Sequence, residues 1–162
     1  MNPLEKLQMV AHVLRWRFTW SKRNLDYRPK GAVSPKFITA RQAAALIPDG
    51  ACVVSSGIAG NARCSAFYWA IRESFLQNGA PRDLTWMNIA AQGGRGKVPG
   101  TVEEMALPGL MRTYIAGHLE TTKAQLHIAE AGALEIHTMP QGVMSFIFEE
   151  QSKGNNQVES DV

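Results

Sequence analysis

The residues best suited to chemistry fall in four short groups built from small, amide or imidazole side chains. They are Gly57-Ile58-Ala59-Gly60-Asn61, Gln92-Gly93-Gly94, Gly117-His118 and Gln141-Gly142. Glycine lets a ligand come close to main-chain N–H groups, and those groups bind phosphate or carboxylate oxygens at the start of a helix. Gln141 both donates and accepts hydrogen bonds, and its place at the end of an expected strand aims it into a cleft rather than a core. His118 ends a strand at the same edge, whereas His12 and His127 fall on expected helices and read as surface or packing residues. The spacing of His118 to any Asp, Ser or Cys makes no recognisable triad, and no nucleophile is evident.

The first group has too few glycines for a dinucleotide fingerprint, and no Gly-Lys-Ser/Thr follows to make a nucleotide P-loop. It serves either as a tight turn whose glycines are there for backbone angles or as a wall against an anionic or acyl ligand. Arg63, one turn into the following helix, is placed to hold a phosphate or carboxylate, or is simply solvated. The stretch Gln92-Gly93-Gly94-Arg95-Gly96, with Lys97, is expected to be flexible and basic. Such a loop either closes over an anion or is a mobile surface segment.

Hydrophobic spacing supplies the elements that must position these groups. Thr39 is an N-cap for a helix over 40–47, and Pro48-Asp49-Gly50 turns the chain into a strand over 51–55. Asn61 is an N-cap for a helix ending near Asn78-Gly79. Strands follow over 84–90, 112–116 and 134–138, with a short helical stretch over 102–107 and a helix from Thr121 or Thr122 through 131. A last helical pattern begins after Pro140 with Val143, Phe146 and Ile147. Short strands alternating with helices give an α/β protein with a largely parallel open sheet flanked by helices. In such a sheet all four candidate groups lie at the carboxyl edge, where open α/β sheets bind ligands.

Composition sets the outer bounds. The chain has 162 residues, 45% of them apolar, enough for one soluble domain with a real core. No apolar run approaches the ~18 residues of a spanning helix, and no secretory signal opens the chain, so a cytoplasmic location is expected. Cys52 and Cys64 lack the spacing of a zinc site, and both are expected to be small, largely buried thiols. No metal is expected. Residues 1–36 hold eight Lys and Arg against Glu5 and Asp26, a net of +6, which leaves −3 for the rest of a chain whose total is +3. The basic balance therefore belongs to a leading segment, and it is poor grounds for nucleic-acid binding.

That segment reads as an amphipathic helix over 4–18, with Leu4, Leu7, Val10, Ala11, Leu14 and Phe18 on one face, followed by a linker. The simpler expectation is a helix that covers the domain; an arm that docks on a partner subunit or an anionic surface is the other. The resulting division is a basic arm and linker over 1–35, a domain over 36–148 and a polar, disordered tail over 149–162.

Two stretches in this order, KFITARQAAALIPDGACVVSSGIAG and GHLETTKAQLHIAEAGALEIHTMPQGV, resemble the alpha-type, N-terminal domain of the class I CoA-transferases. The likeness is greatest to the acyl-CoA:acetate or 3-ketoacid and propionate CoA-transferases. Shared features are an Ala-rich helix, an Ile-Pro-Asp-Gly turn, a strand with a glycine loop, a Gly-His pair and a Pro-Gln-Gly turn, all within residues 36–148. The resemblance implies that Gly57, Ile58, Ala59, Gly60 and Asn61 line an acyl or CoA cleft. It also implies that Gln92, Gly93 and Gly94 form a neighbouring loop and that Gln141 and Gly142 approach the reacting carboxylate. Ile58-Ala59 stand where the family often has a further glycine, which makes the turn less open.

The family's chemistry runs through a glutamate of a second, beta-type domain. Its carboxylate attacks an acyl-CoA to give a mixed anhydride, the CoA thiolate then forms a glutamyl-CoA thioester, and the acceptor acid reverses the sequence. Here the chain turns polar after Glu150, and neither Glu149 nor Glu150 sits at a strand-end glycine loop. The resemblance thus implies an alpha-type subunit or truncated homologue, inactive alone, working in an oligomer with a beta-type partner. It takes coenzyme A as acyl-CoA substrate and holds no permanent cofactor. A related acyl-CoA hydrolase or decarboxylase subunit, or a non-catalytic acyl-CoA or small-acid binding module, stands as the alternative. Contact with nucleic acid or membrane is not expected.

Overall fold

The structure, a computed structural model, describes residues 2–19, 22–31, 34–57, 63–94 and 99–159. Four strands, β1 (Cys52–Ser56), β2 (Leu84–Ile89), β3 (Met111–Ala116) and β4 (Glu135–Thr138), form one sheet in the order β1-β2-β3-β4, with every neighbouring pair parallel. The helices are α1 (Pro3–Thr19), α2 (Ala40–Ala44), α3 (Ser65–Asn78), α4 (Lys123–Glu130) and α5 (Gln141–Ser152). A 3-10 turn, Val102–Met105, lies between β2 and β3. Among the described residues no helix is long and apolar enough to cross a membrane.

Alternation along the strands sorts the sheet into two faces. Val53, Trp86, Tyr114 and Ile136 are register partners across all four strands. Trp86 and Tyr114 are fully buried on this face, in a core with Tyr68 and Ile71 of α3, Val102 and Met105 of the 3-10 turn, and Leu110. Tyr68 meets Trp86 edge to face, with ring centroids 5.8 Å apart. The 3-10 turn touches both α3 and α4. This fits a sheet wound in sequence order, whose crossovers of one hand all fall on one side. On the other face Val54, Met87, Ile115 and His137 are partners, and Val54 is 45% exposed.

That second face corrects the expectation for the cysteines. Cys52 is exposed and Cys64 only half-buried. The strand period of two puts Cys52 with Val54 and Ser56, away from the core, and Cys64 sits at the cap position before α3 rather than inside it.

Local signals explain most element ends. Thr39 caps α2 in a reciprocal capping box, accepting from the Gln42 N–H at 3.2 Å while the Gln42 side chain accepts from the Thr39 N–H at 3.0 Å. The helix is shorter than the expected 40–47: past Ala44 the chain tightens into three-residue turns, with the Leu46 and Ile47 N–H groups donating to the Ala43 and Ala44 carbonyls at 3.2 and 3.1 Å, before Pro48. Gly79 closes α3 with a φ of 69°. The start of α3 differs: the helix begins at Ser65, with Cys64 rather than Asn61 at the cap, and no side chain caps it. Burial of Tyr68, Ala70 and Ile71 therefore sets the start of this helix more than a capping bond does.

The leading helix forms as expected, but among the described residues its apolar stripe lies uncovered. No residue of α1 is buried, and Leu7 and Phe18 are 66% and 76% exposed. A helical period specifies an apolar stripe but carries no information about what faces it. Leu25 of the following segment enters the core, while the nearby Arg23 stacks over Trp69 at 4.1 Å and pairs with Glu104 at 3.2 Å.

Candidate functional site

The parallel sheet brings the four strand ends to one edge, as the alternation of elements requires. Gly57, with φ 142°, follows β1. Ile58, Ala59, Gly60 and Asn61, the rest of that candidate turn, lie outside the described residues, as do Arg95 and Lys97. Arg63 is half-buried.

The β3 and β4 ends come together. The Met139 N–H donates to the Ala116 carbonyl at 3.1 Å. A Cβ added to Gly117 would stand 3.6 Å from both Cβ and the main-chain nitrogen of Gln141 and 3.4 Å from the Met139 carbonyl oxygen. Gln141 opens α5, where Pro140 is the cap residue, and its side chain is exposed at this edge. Gly142 is exposed too, with open space where a side chain would be. His118 is half-exposed, its Nε2 3.5 Å from a carboxylate oxygen of Glu120. Among the described residues the edge is thus a glycine-lined surface that carries the Gln141 amide and the His118 imidazole.

The β2 end differs from the expected flexible loop. Gln92 and Gly93 are buried. The Tyr68 hydroxyl donates to the Gln92 side-chain carbonyl, and the Gln92 main-chain carbonyl accepts from the Val102 N–H at 3.3 Å. Any Cβ at position 93 would collide with the Thr121 carbonyl oxygen. Gly94 donates to the Glu103 carboxylate at 3.2 Å. Glycine is present here for close packing rather than for mobility, so the Gln92–Gly94 stretch is a pinned floor beside the edge.

Beneath the edge lies a buried polar cluster. The Trp86 indole N–H donates to Ser55 Oγ at 2.9 Å and to Asn88 Oδ1 at 2.8 Å, and Asn88 Nδ2 donates to the Tyr114 hydroxyl at 2.8 Å. Burial pushes the Tyr68 and Tyr114 phenols well above the ordinary tyrosine range, so both stay neutral donors at physiological pH. Sequence reading singled out none of Tyr68, Asn88 and Tyr114. The one available signal was polar and aromatic residues on the inward phase of β2, β3 and, for Tyr68, α3, and the partners that join them across elements lie 24 to 33 residues away.

No carboxylate is poised for attack in the last helix. Glu149 and Glu150 are held by Lys153 at 2.9 and 2.8 Å, and the hydrogen bond from Lys153, with one from Asn155, holds the Glu150 carboxyl below its ordinary range. No cluster of three or more potential metal ligands occurs among the described residues. A cavity of about 550 Å³ is lined by Val143, Phe146, Glu150 and residues 157–159 rather than by the strand-end loops. Another, of about 400 Å³, is lined by Asp83, Gly109 and Glu135 at the opposite end of the sheet.

A four-stranded parallel α/β sheet with glycine-lined strand ends defines the class of protein, and comparison with known proteins narrows it. No family model matches the chain. A caffeate CoA-transferase of Acetobacterium woodii is 31% identical over 118 residues, 71% of this chain and 22% of that enzyme. The fold recurs in an acyl-CoA transferase of Escherichia coli O157:H7, YdiF, in its thioester complex with CoA. There the TM-score is 0.69 at 22% identity, over 77% of this chain and 24% of that one. Its apoenzyme gives a TM-score of 0.66, also at 22% identity, over 80% and 24%. The chain is therefore homologous to CoA-transferases over a domain-sized region, and spans less than a quarter of their length.

Proposed function

We propose that this chain is an alpha-type CoA-transferase unit, contributing one wall of the cleft in which CoA passes between an acyl-CoA and a short carboxylic acid. The observation that carries the reading is the meeting of Gly117 and Gln141 at the strand-end edge of a chain homologous to CoA-transferases. Gln141 there is exposed, at the first turn of α5, with a donor and an acceptor free to address a carboxylate or a thioester carbonyl. Gly57 to Asn61 line the same cleft, Gln92 to Gly94 brace it, and His118 borders it.

The transfer itself requires a carboxylate nucleophile, which a beta-type partner provides. In this reading coenzyme A is substrate rather than a resident cofactor, and the working unit is an oligomer. A second reading, a non-catalytic acyl-CoA or small-acid binding module, draws on the engagement of Glu149 and Glu150 with Lys153. The test is Gln141→Ala, assayed by titration with acetyl-CoA. Affinity should fall severalfold for the loss of a hydrogen bond to the neutral thioester carbonyl, with the unfolding midpoint unchanged. An unaltered affinity would remove Gln141 from the site.

A further inference from the structure

Glu103 lies in the 3-10 turn between β2 and β3, in a stretch that no candidate motif includes. The residue is 8% exposed. One carboxylate oxygen, Oε2, accepts from the Gly94 N–H at 3.2 Å, and the other, Oε1, faces the Ala124 N–H at 3.4 Å. Gly94 belongs to the loop after β2. Ala124 lies in the first turn of α4, immediately beyond the loop that carries Gly117 and His118. Glu103 therefore bridges the β2-end loop and the first turn of α4, the helix into which the β3-end loop runs.

The 3-10 turn is stitched to the same two sides through its backbone. The Val102 N–H donates to the Gln92 carbonyl at 3.3 Å, and the Val102 carbonyl accepts from Gln125 Nε2 at 2.7 Å. Glu103 also stands close enough to the buried Tyr114 for its charge to disfavour ionisation of that phenol. An ionised carboxylate suits the geometry because it accepts at both oxygens and both partners are N–H donors. An amide at this position could satisfy only one of them, since its NH2 would face the other donor.

We propose that Glu103 is a positioning residue that fixes the spacing between the β2-end loop and the β3-end loop with α4, and through that spacing the fit of CoA at the edge. The second half of this statement rests on the CoA-transferase reading; the first does not. Asp would be one methylene short of the span, and Ala would release both loops.

The experiment is amide hydrogen exchange on the full chain, resolved at Gly94, Ala124, Trp86 and Tyr114, for wild type, Glu103→Gln and Glu103→Ala. Glu103→Ala should raise exchange at Gly94 and Ala124 about tenfold, the loss of one hydrogen bond each, while Trp86 and Tyr114 stay as in wild type. Glu103→Gln should raise only one of the two. Unchanged exchange at both amides, or an equal rise across the strands, would overturn the clamp; if Glu103→Ala does not fold, the same criteria applied to Glu103→Gln decide it. Titration of the same proteins with CoA completes the test. Severalfold weaker binding by the variants is expected, and equal binding despite loosened loops would overturn the positioning role. A wild-type chain that binds no CoA would defeat the transferase reading and the CoA-fit half of this proposal, while exchange would still decide the clamp.

Discussion

The Ser55 hydroxyl donates to Asn88 Oδ1 at 2.6 Å between register partners of β1 and β2, and both side chains are buried. Asn88 also accepts from Trp86 and donates to Tyr114, so one amide ties three strands together just below the candidate edge. Asn88→Ala would strand partners that water cannot reach. The expected cost is about 3 kcal/mol in urea unfolding, against about 1 kcal/mol for Ser55→Ala, since stranded buried groups cost more than a lost bond. Equal effects for the two variants would contradict the central place of Asn88.

Gly93 offers a test of the pinned loop. A methyl group there meets the Thr121 carbonyl, a main-chain atom that cannot swing aside. Gly93→Ala is expected to destabilise the chain by about 3 kcal/mol, at the upper end for overpacking. Gly142→Ala, where the added group meets open space, should leave stability within about 0.5 kcal/mol. A tolerant position 93 would restore the mobile-loop reading.

The two cysteines should separate by reactivity. Burial raises the Cys64 thiol above its ordinary value, only partly offset by its hydrogen bond with Tyr68, which lowers the reactive thiolate fraction at neutral pH. Cys52 lies on the exposed strand face. Iodoacetamide followed by peptide mass mapping should label Cys52 about tenfold faster than Cys64, and the reverse order would contradict the face assignment.

Much of this architecture was legible because it rests on local periods. The strands at 52–56, 84–89, 111–116 and 135–138 fall where alternation and turn residues put them, and their parallel pairing follows from the helices between. What was not legible depends on tertiary approach. Glycine density marks residues 92–96 as free in sequence, yet the Thr121 carbonyl and Glu103 hold Gly93 and Gly94. Cys52 looks like a core residue by type, but its side of the sheet is decided by register. The apolar stripe of α1 predicts a helix correctly and says nothing of a partner. At the site, the edge itself and the nearness of Gly117 to Gln141 follow from topology, whereas Glu103, Asn88 and Tyr68 act through contacts more than 20 residues distant in at least one direction.

The central claim, that this chain provides a binding wall and not the nucleophile, is tested most directly by one assay. Transfer of CoA from acetyl-CoA to propionate is followed for the purified chain, alone and after addition of a beta-type CoA-transferase domain. No transfer is expected from the chain alone, and transfer is expected once the partner's glutamate is present. Transfer by the isolated chain would contradict the claim.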